Sequence, residues 1–85
     1  MKHLISYDLN IPGQNYTKLI QAISSLGSCF KLSDSCWAVK TNLTATQIAV
    51  YLAAYTDSSD PLFICPFRTY AALHYSNDFY NWLNS

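Results

Sequence analysis

The sequence predicts an α+β fold of four strands and two main helices, followed by a short third helix. Three observations support this fold class. Apolar and polar residues alternate in several short runs, apolar residues recur at helical spacing in longer segments, and loop-forming residues separate the two kinds. The chain has 85 residues, which fits a single domain over 1–85 and leaves no room for a second core.

The first two predicted elements are an internal strand and a well-bounded helix. The strand covers residues 3–9, HLISYDL, and a loop follows over residues 10–14. We expect Asn15 to cap the helix and Gly27 to end it in the left-handed conformation. The apolar face of this helix is formed by Tyr16, Leu19, Ile20, Ile23 and Leu26.

The middle of the chain predicts a β-hairpin. Residues 28–33, SCFKLS, and residues 36–41, CWAVKT, each alternate in polarity, and the polar pair Asp34-Ser35 lies between them. Two alternating runs around a short polar turn are typical of antiparallel strands joined directly.

The second half of the chain predicts a helix, a strand and a short terminal helix. Thr44 and Gln47 have the spacing of a capping box at a helix start. The strand covers residues 61–67, where Pro66 predicts a short or edge-like end because proline donates no ladder hydrogen bond. Asn77 is expected to cap the short terminal helix.

The resulting order is βαββαβ, the order of the ferredoxin-like fold, in which two helices cover one face of a four-stranded antiparallel sheet. The other sheet face then needs cover. We expect the extension over residues 68–85 to cover part of it or to lie at a dimer seam, and a second copy of the chain to cover the rest. The seven tyrosines also favour a homodimer, because tyrosine is enriched at interfaces.

Charge, hydropathy and cysteine content indicate what kind of partner and compartment to expect. Five basic residues balance five acidic ones and the sequence pI is about 6.7, which is not the basic balance typical of nucleic-acid binding, although net charge does not report a local patch. No leader peptide or membrane span is predicted, and we expect a cytoplasmic protein with no membrane partner. Three cysteines are expected to be reduced and mostly buried: Cys29, Cys36 and Cys65.

Asp8 is the first candidate functional residue, because it places a carboxylate near the end of an apolar strand. Either it holds the following loop by accepting amide hydrogen bonds from Asn10 onward, or two copies in a dimer hold a cation such as Mg²⁺. Asn10 and Gly13, directly before a helix, either form an ordinary turn or offer amides to a phosphate.

Other polar and aromatic residues carry two interpretations each. Asp34 joins a carboxylate cluster if the hairpin faces Asp8, and otherwise Asp34 and Ser35 simply form the turn. Three aromatic residues stack on bases if they are exposed and otherwise are core or dimer contacts: Tyr7, Phe30 and Trp37. His3 and His74 have no partner at a catalytic spacing, so we expect structural roles for both.

Three segments also carry a family resemblance: ISYDLNIPGQNYTKL, ISSLG and LSDSCWAVKTNLTATQI, which together cover roughly residues 4–50. In order and spacing they resemble a set of small bacterial proteins known as SinR-like, with NWL near the end as a weaker match. That set is similar to the small CRISPR-associated endoribonuclease and to virulence-associated protein D.

This resemblance implies a ferredoxin-like homodimer in which Asp8 faces its dimer mate. It implies that Asp8 holds a divalent metal, Mg²⁺, for cleavage of RNA or DNA phosphodiesters, with Ser35 as the next matching position. Tyr7, Asn10 and Gly13 are the expected substrate-binding residues. The alternative is a catalytically silent dimeric module that binds a protein partner, such as an antitoxin, an immunity protein or a phage counter-defence protein.

Overall fold

The computed structural model describes residues 1–8 and 16–85, and there it has an α+β fold with one four-stranded antiparallel sheet and three helices. The predictions for residues 10–14 and for the Asn15 cap lie outside the described residues. The elements are β1 (Lys2–Tyr7), α1 (Thr17–Ser24), β2 (Ser28–Ser33), β3 (Cys36–Lys40), α2 (Ala45–Ala53), β4 (Leu62–Phe67) and α3 (Asn77–Asn84).

The sheet has the strand order β2-β3-β1-β4. β1 is therefore internal, as predicted, and β4 is an edge strand, as Pro66 indicated. The register sets Ile5 opposite Trp37 of β3 on one side and opposite Ile64 of β4 on the other. The observed β1 is one residue longer at its start than the predicted strand over 3–9, and it ends at Tyr7.

The main core lies between the sheet and the helices α1 and α2. Side chains alternate across β1, and His3, Ile5 and Tyr7 are the buried ones. Burying a side chain of the size of isoleucine contributes about 1.5–3 kcal/mol, so this cluster dominates the folding energy. Its members are Ile5, Tyr7, Leu19, Ala22, Ile23, Val39, Ile48 and Leu52.

The opposite face of the sheet carries α3. The ring of Phe79 lies 5.0 Å from that of Phe30, measured between centroids. The indole Nε1 of Trp82 donates to the hydroxyl of Ser28 at 2.8 Å. The Lys40 ammonium donates to the carbonyl oxygen of Trp82 and lies 4.6 Å from its ring centroid. These contacts join α3 to β2 and β3.

The helix starts follow local side-chain chemistry. At α2 the predicted capping box is confirmed: the Gln47 N–H donates to the Thr44 hydroxyl at 3.1 Å, and the Thr44 N–H donates to the Gln47 side-chain oxygen at 2.9 Å. At α3 the predicted cap is wrong. Ser76, not Asn77, accepts the Phe79 N–H, because Ser76 has the extended backbone of a cap and Asn77 is already helical.

The prediction for Gly27 is also wrong. Its φ lies outside the left-handed region, and the residue that ends α1, Ser25, has right-handed backbone angles. A β-carbon on Gly27 would instead collide with the carbonyl oxygen of Lys40. Glycine is required here because β3 passes so close to the end of the α1–β2 connection.

The described helices are short. The longest, α2, has nine residues, whereas a helix needs about 20 to span a bilayer. Within residues 1–8 and 16–85, none has the length and apolar character of a membrane span.

Candidate functional site

Asp8 and Ser35 lie beside the same surface depression, at the end of the sheet where β1 stops. The depression is open, with a volume of about 480 Å³. It collects residues from the end of β1, the β2–β3 turn and the start of β4. The lining residues are Ser6, Tyr7, Asp8, Ser35, Pro61, Leu62 and Phe63.

Two backbone hydrogen bonds fix this end of the sheet. The Tyr7 N–H donates to the Ser35 carbonyl at 3.0 Å, and the Asp8 N–H donates to the Pro61 carbonyl at 3.1 Å. The chain leaving β1 is thus bound to β3 on one side and to β4 on the other. Both predicted catalytic residues are positioned by main-chain bonds rather than by their own side chains.

The Asp8 side chain is exposed. Across residues 1–8 and 16–85, no side chain or amide forms a hydrogen bond or ion pair with its carboxylate. Its predicted alternative role, accepting amide bonds from Asn10 onward, falls outside the described residues, and so do Asn10 and Gly13 themselves. What the structure gives is a carboxylate at the surface that another molecule can reach.

Tyr7 is placed in the core, with 4% of its surface exposed. Its hydroxyl donates to the Asp34 carbonyl at 3.0 Å and accepts from the Trp37 indole at 3.2 Å. The core contact, one of the two predicted interpretations, is therefore the role of this ring. Its hydroxyl holds the hairpin turn against the end of β1.

Phe63 also lines the depression, and 66% of its surface is exposed. This residue was not predicted from the sequence. The segment PLFICPF could have indicated it, because side chains alternate along a strand and Phe63 must then lie on the face opposite Leu62 and Ile64. Its neighbour across the ladder is Ser6, so it lies on the sheet face that carries α3, beyond the part that α3 covers.

The other carboxylates at this end do not gather into a cluster around Asp8. Asp34 is exposed in the hairpin turn and pairs with Lys31 at 3.3 Å. Asp60 is buried and accepts from the Tyr16 hydroxyl at 3.3 Å and the Asp57 N–H at 3.2 Å. In the part of the chain that the structure describes, no three His, Cys, Asp or Glu side chains meet as metal ligands.

An open Mg²⁺ site still fits the donors present. Magnesium in proteins is often bound through one or two carboxylates and keeps several waters, with substrate phosphates completing its shell. Asp8 supplies one accessible carboxylate, and Ser35 supplies a hydroxyl beside the same depression. One chain therefore offers half of the paired-carboxylate site that the dimer hypothesis requires.

The two histidines lie away from this depression. His3 is 1% exposed, and its Nε2 donates to the Leu43 carbonyl at 3.0 Å, while no described group bonds Nδ1. Burial lowers the pKa of His3, partly opposed by the bond to Leu43, and the N-terminal charge lowers it further. His74 is exposed and has a φ of 67°.

The three cysteines are half-buried free thiols. Burial raises the pKa of Cys36, which disfavours the reactive thiolate. All three are less buried than the sequence predicted.

Comparison of the chain with protein-family models, with curated proteins and with solved structures found no significant match. The SinR-like resemblance therefore rests on the segments within residues 4–50 alone.

Proposed function

We propose that the chain is a homodimeric, ferredoxin-like protein of the SinR-like type that cleaves RNA with a divalent cation held at Asp8. One observation carries the proposal. The exposed Asp8 carboxylate and Ser35 share a depression at the end of an internal strand.

The fold part of the proposal is supported by the sheet. The strand order β2-β3-β1-β4 places the two strands that precede the main helices, β1 and β3, in the centre. Residues of α1 and α2 share one core with β1 and β3. Both features are expected of a ferredoxin-like domain.

The dimer is proposed because one chain supplies only one of the two carboxylates of the paired site. A single Asp8 offers one carboxylate, and the paired site needs the same residue from a second copy. Phe63 offers exposed apolar surface beside the depression. A two-fold axis at this end would join the two Phe63 side chains and bring two like charges together, which a divalent cation offsets.

In the proposed reaction each residue has a separate role. Asp8 holds and orients the cation, and the Ser35 hydroxyl donates a hydrogen bond to a phosphate oxygen of the RNA. Mg²⁺ bound there would polarise the phosphate and lower the pKa of a coordinated water. The backbone bonds of Tyr7 and Asp8 keep both groups at the same end of the sheet.

The test is RNA cleavage by the wild type and by Asp8→Asn, with and without Mg²⁺. We expect Asp8→Asn to lose at least about 100-fold in rate, the scale of a lost electrostatic stabiliser. The matched control is Asp78→Asn, which removes an exposed carboxylate from the first turn of α3 and should leave the rate unchanged. Equal activity of Asp8→Asn and the wild type would reject the proposed role.

The dimer is tested separately by light scattering at micromolar concentration. We expect twice the chain mass of 9.6 kDa, with a larger dimer fraction in Mg²⁺ than in a chelator. Asp8→Asn should remove this dependence on Mg²⁺, because the like charges are gone. A monomer mass under both conditions would reject the paired-Asp8 site.

The silent interaction module is a second candidate, favoured by exposed apolar side chains after β4. Leu73 is 78% exposed and Tyr70 is 47% exposed. For this candidate, a purified protein partner should bind the wild type with an affinity that Leu73→Ser reduces and Val50→Ser does not. Val50 is a matched control because it is 72% exposed on α2. Asp8-dependent RNA cleavage would reject this candidate.

A further inference from the structure

The charges of this neutral chain are unevenly distributed between the two ends of its sheet, although Lys31 pairs with Asp34 at the acidic one. Three of the five basic residues surround one depression, of about 480 Å³, at the end where β1 begins. No acidic side chain lines it. The lining residues, here called the basic end, are Met1, Lys2, Lys40, Phe67, Arg68 and Ser85.

The register explains why these cations meet. Lys2 opens β1 and pairs with Lys40 at the end of β3 and with Phe67 at the end of β4. Arg68 follows directly on β4. Antiparallel pairing thus brings residues that are far apart in sequence to one edge of the sheet.

Most acidic residues lie at the opposite end. Asp8 follows β1, Asp34 lies in the β2–β3 turn, and Asp57 and Asp60 precede β4. Lys2 and Asp8 are six positions apart along an extended strand, a distance of about 20 Å at the usual rise per residue. An anion approaching the molecule therefore meets two ends of opposite character.

Two of the three cations at the basic end are available to a ligand. The Lys40 ammonium is already bonded to the carbonyl oxygen of Trp82 and to the carbonyl and hydroxyl oxygens of Ser85. For the side chains of Lys2 and Arg68, the described residues supply no hydrogen bond or ion pair. Gathering like charges is unfavourable, and a bound anion relieves it.

An exposed aromatic ring adjoins these cations. Tyr70 is 47% exposed, and its ring forms a T-shaped pair with that of Phe67 at 6.0 Å between centroids. Phe67 itself lines the basic end. Cations that follow a backbone, beside a ring on which a base stacks, are the usual elements of a single-stranded nucleic-acid site.

The geometry points to the basic end as a binding site for the phosphodiester backbone of single-stranded RNA, with Lys2 and Arg68 on phosphates and Tyr70 under a base. The choice of RNA rests on the proposed function, whereas the site is distinct from Asp8. The two lie about 20 Å apart, so an RNA strand must extend over several nucleotides to occupy both.

The binding test uses a fluorescently labelled 12-nucleotide RNA and anisotropy over a range of salt concentrations. The double variant Lys2→Gln/Arg68→Gln is compared with Lys18→Gln/Lys31→Gln, which removes the same charge elsewhere. Each lost phosphate contact lowers the log–log salt slope by about 0.7 for a single strand. We expect the basic-end variant to lose about 1.4 in slope and at least about 10-fold in affinity at low salt.

The control pair should change affinity and slope little. Equal weakening in both double variants, or no RNA binding by the wild type at low salt, would overturn the inference. Tyr70→Ala should weaken binding about 5-fold or more, from a lost stacking contact of about 1–3 kcal/mol. Tyr55→Ala, which truncates another exposed tyrosine, should not.

Cleavage of RNAs of two lengths separates this site from the proposed function. If Asp8 cuts RNA, Lys2→Gln/Arg68→Gln should raise KM for a 12-nucleotide substrate and leave KM unchanged for a dinucleotide, which is too short to reach both sites. An unchanged KM for both lengths would reject RNA binding at the basic end and leave the proposed nuclease function standing. RNA that binds with the expected dependence on Lys2 and Arg68 but is never cut would support the basic end and reject the nuclease function.

Discussion

The carbonyl oxygen of Lys40 occupies the space that a β-carbon on Gly27 would need. Gly27→Ala must therefore push β3 away from the segment that follows α1. We expect a loss of about 1–3 kcal/mol in the free energy of unfolding, the usual cost of forcing extra atoms into a packed site. Urea denaturation measures it, with Thr46→Ala on the exposed side of α2 as the neutral control. An unchanged midpoint for Gly27→Ala would contradict the close approach.

The start of α3 gives a prediction that distinguishes two adjacent residues. Ser76→Ala should lower the free energy of unfolding by about 1 kcal/mol, because the Phe79 N–H loses its acceptor. Asn77→Ala should change it by less than about 0.5 kcal/mol. A larger loss for Asn77→Ala than for Ser76→Ala in urea denaturation would assign the cap to Asn77.

Substitutions at Phe30 and Phe79 test whether α3 is part of the cooperatively folded unit. Phe79 is 5% exposed, so Phe79→Ala should cost about 3–5 kcal/mol. A double-mutant cycle with Phe30→Leu and Phe79→Leu keeps the fold while removing the ring pair, and we expect a coupling of about 0.5–1.5 kcal/mol. Additive effects in the cycle would mean that the two rings do not interact in solution.

Stability should fall in mild acid because His3 is buried. Burial lowers its pKa from the usual value of 6.5, so both folded and unfolded states hold it neutral above that pH. As the pH falls below 6.5, the unfolded chain binds a proton that the folded chain does not, and the free energy of unfolding decreases. The decrease is at most about 1.4 kcal/mol per pH unit and stops once the pH is below the lowered pKa.

Two measurements check this dependence. NMR titration of the His3 ring protons should give a pKa below 6.5. Urea denaturation at pH 7.5 and 5.5 should show a smaller loss of stability in His3→Gln than in the wild type. Parallel losses in both proteins would place the acid sensitivity in another group.

The fold features that could be predicted from the sequence are those determined by residues close together along the chain. The capping box of Thr44 and Gln47 closes over four residues, and the hairpin around Asp34 and Ser35 needs only alternation and a polar turn. Gly27 was misread because the atom that requires it belongs to Lys40, 13 positions later and on another strand. Such contacts become visible only once the strands are paired.

The candidate site was predictable in composition and less so in arrangement. Asp8 stands out in the sequence as a charge after an apolar strand, and the hairpin turn identifies Ser35. Their shared depression depends on β1 being internal, with β3 and β4 holding the end of β1 from both sides. The basic end was not predicted, because net charge sums to zero while antiparallel pairing sorts the charges by position along the strands.

This sorting makes an uncharged molecule an electric dipole. With three of the five cations at one end of β1 and four of the five carboxylates toward the other, a distant polyanion exerts a torque that turns the basic end toward it before any contact forms. Such orientation raises the rate of productive encounters at low ionic strength. The effect decreases at higher salt, because screening shortens the range of the electric field. The same torque turns two identical copies head to tail, against the acid-end pairing that a divalent cation would have to stabilise.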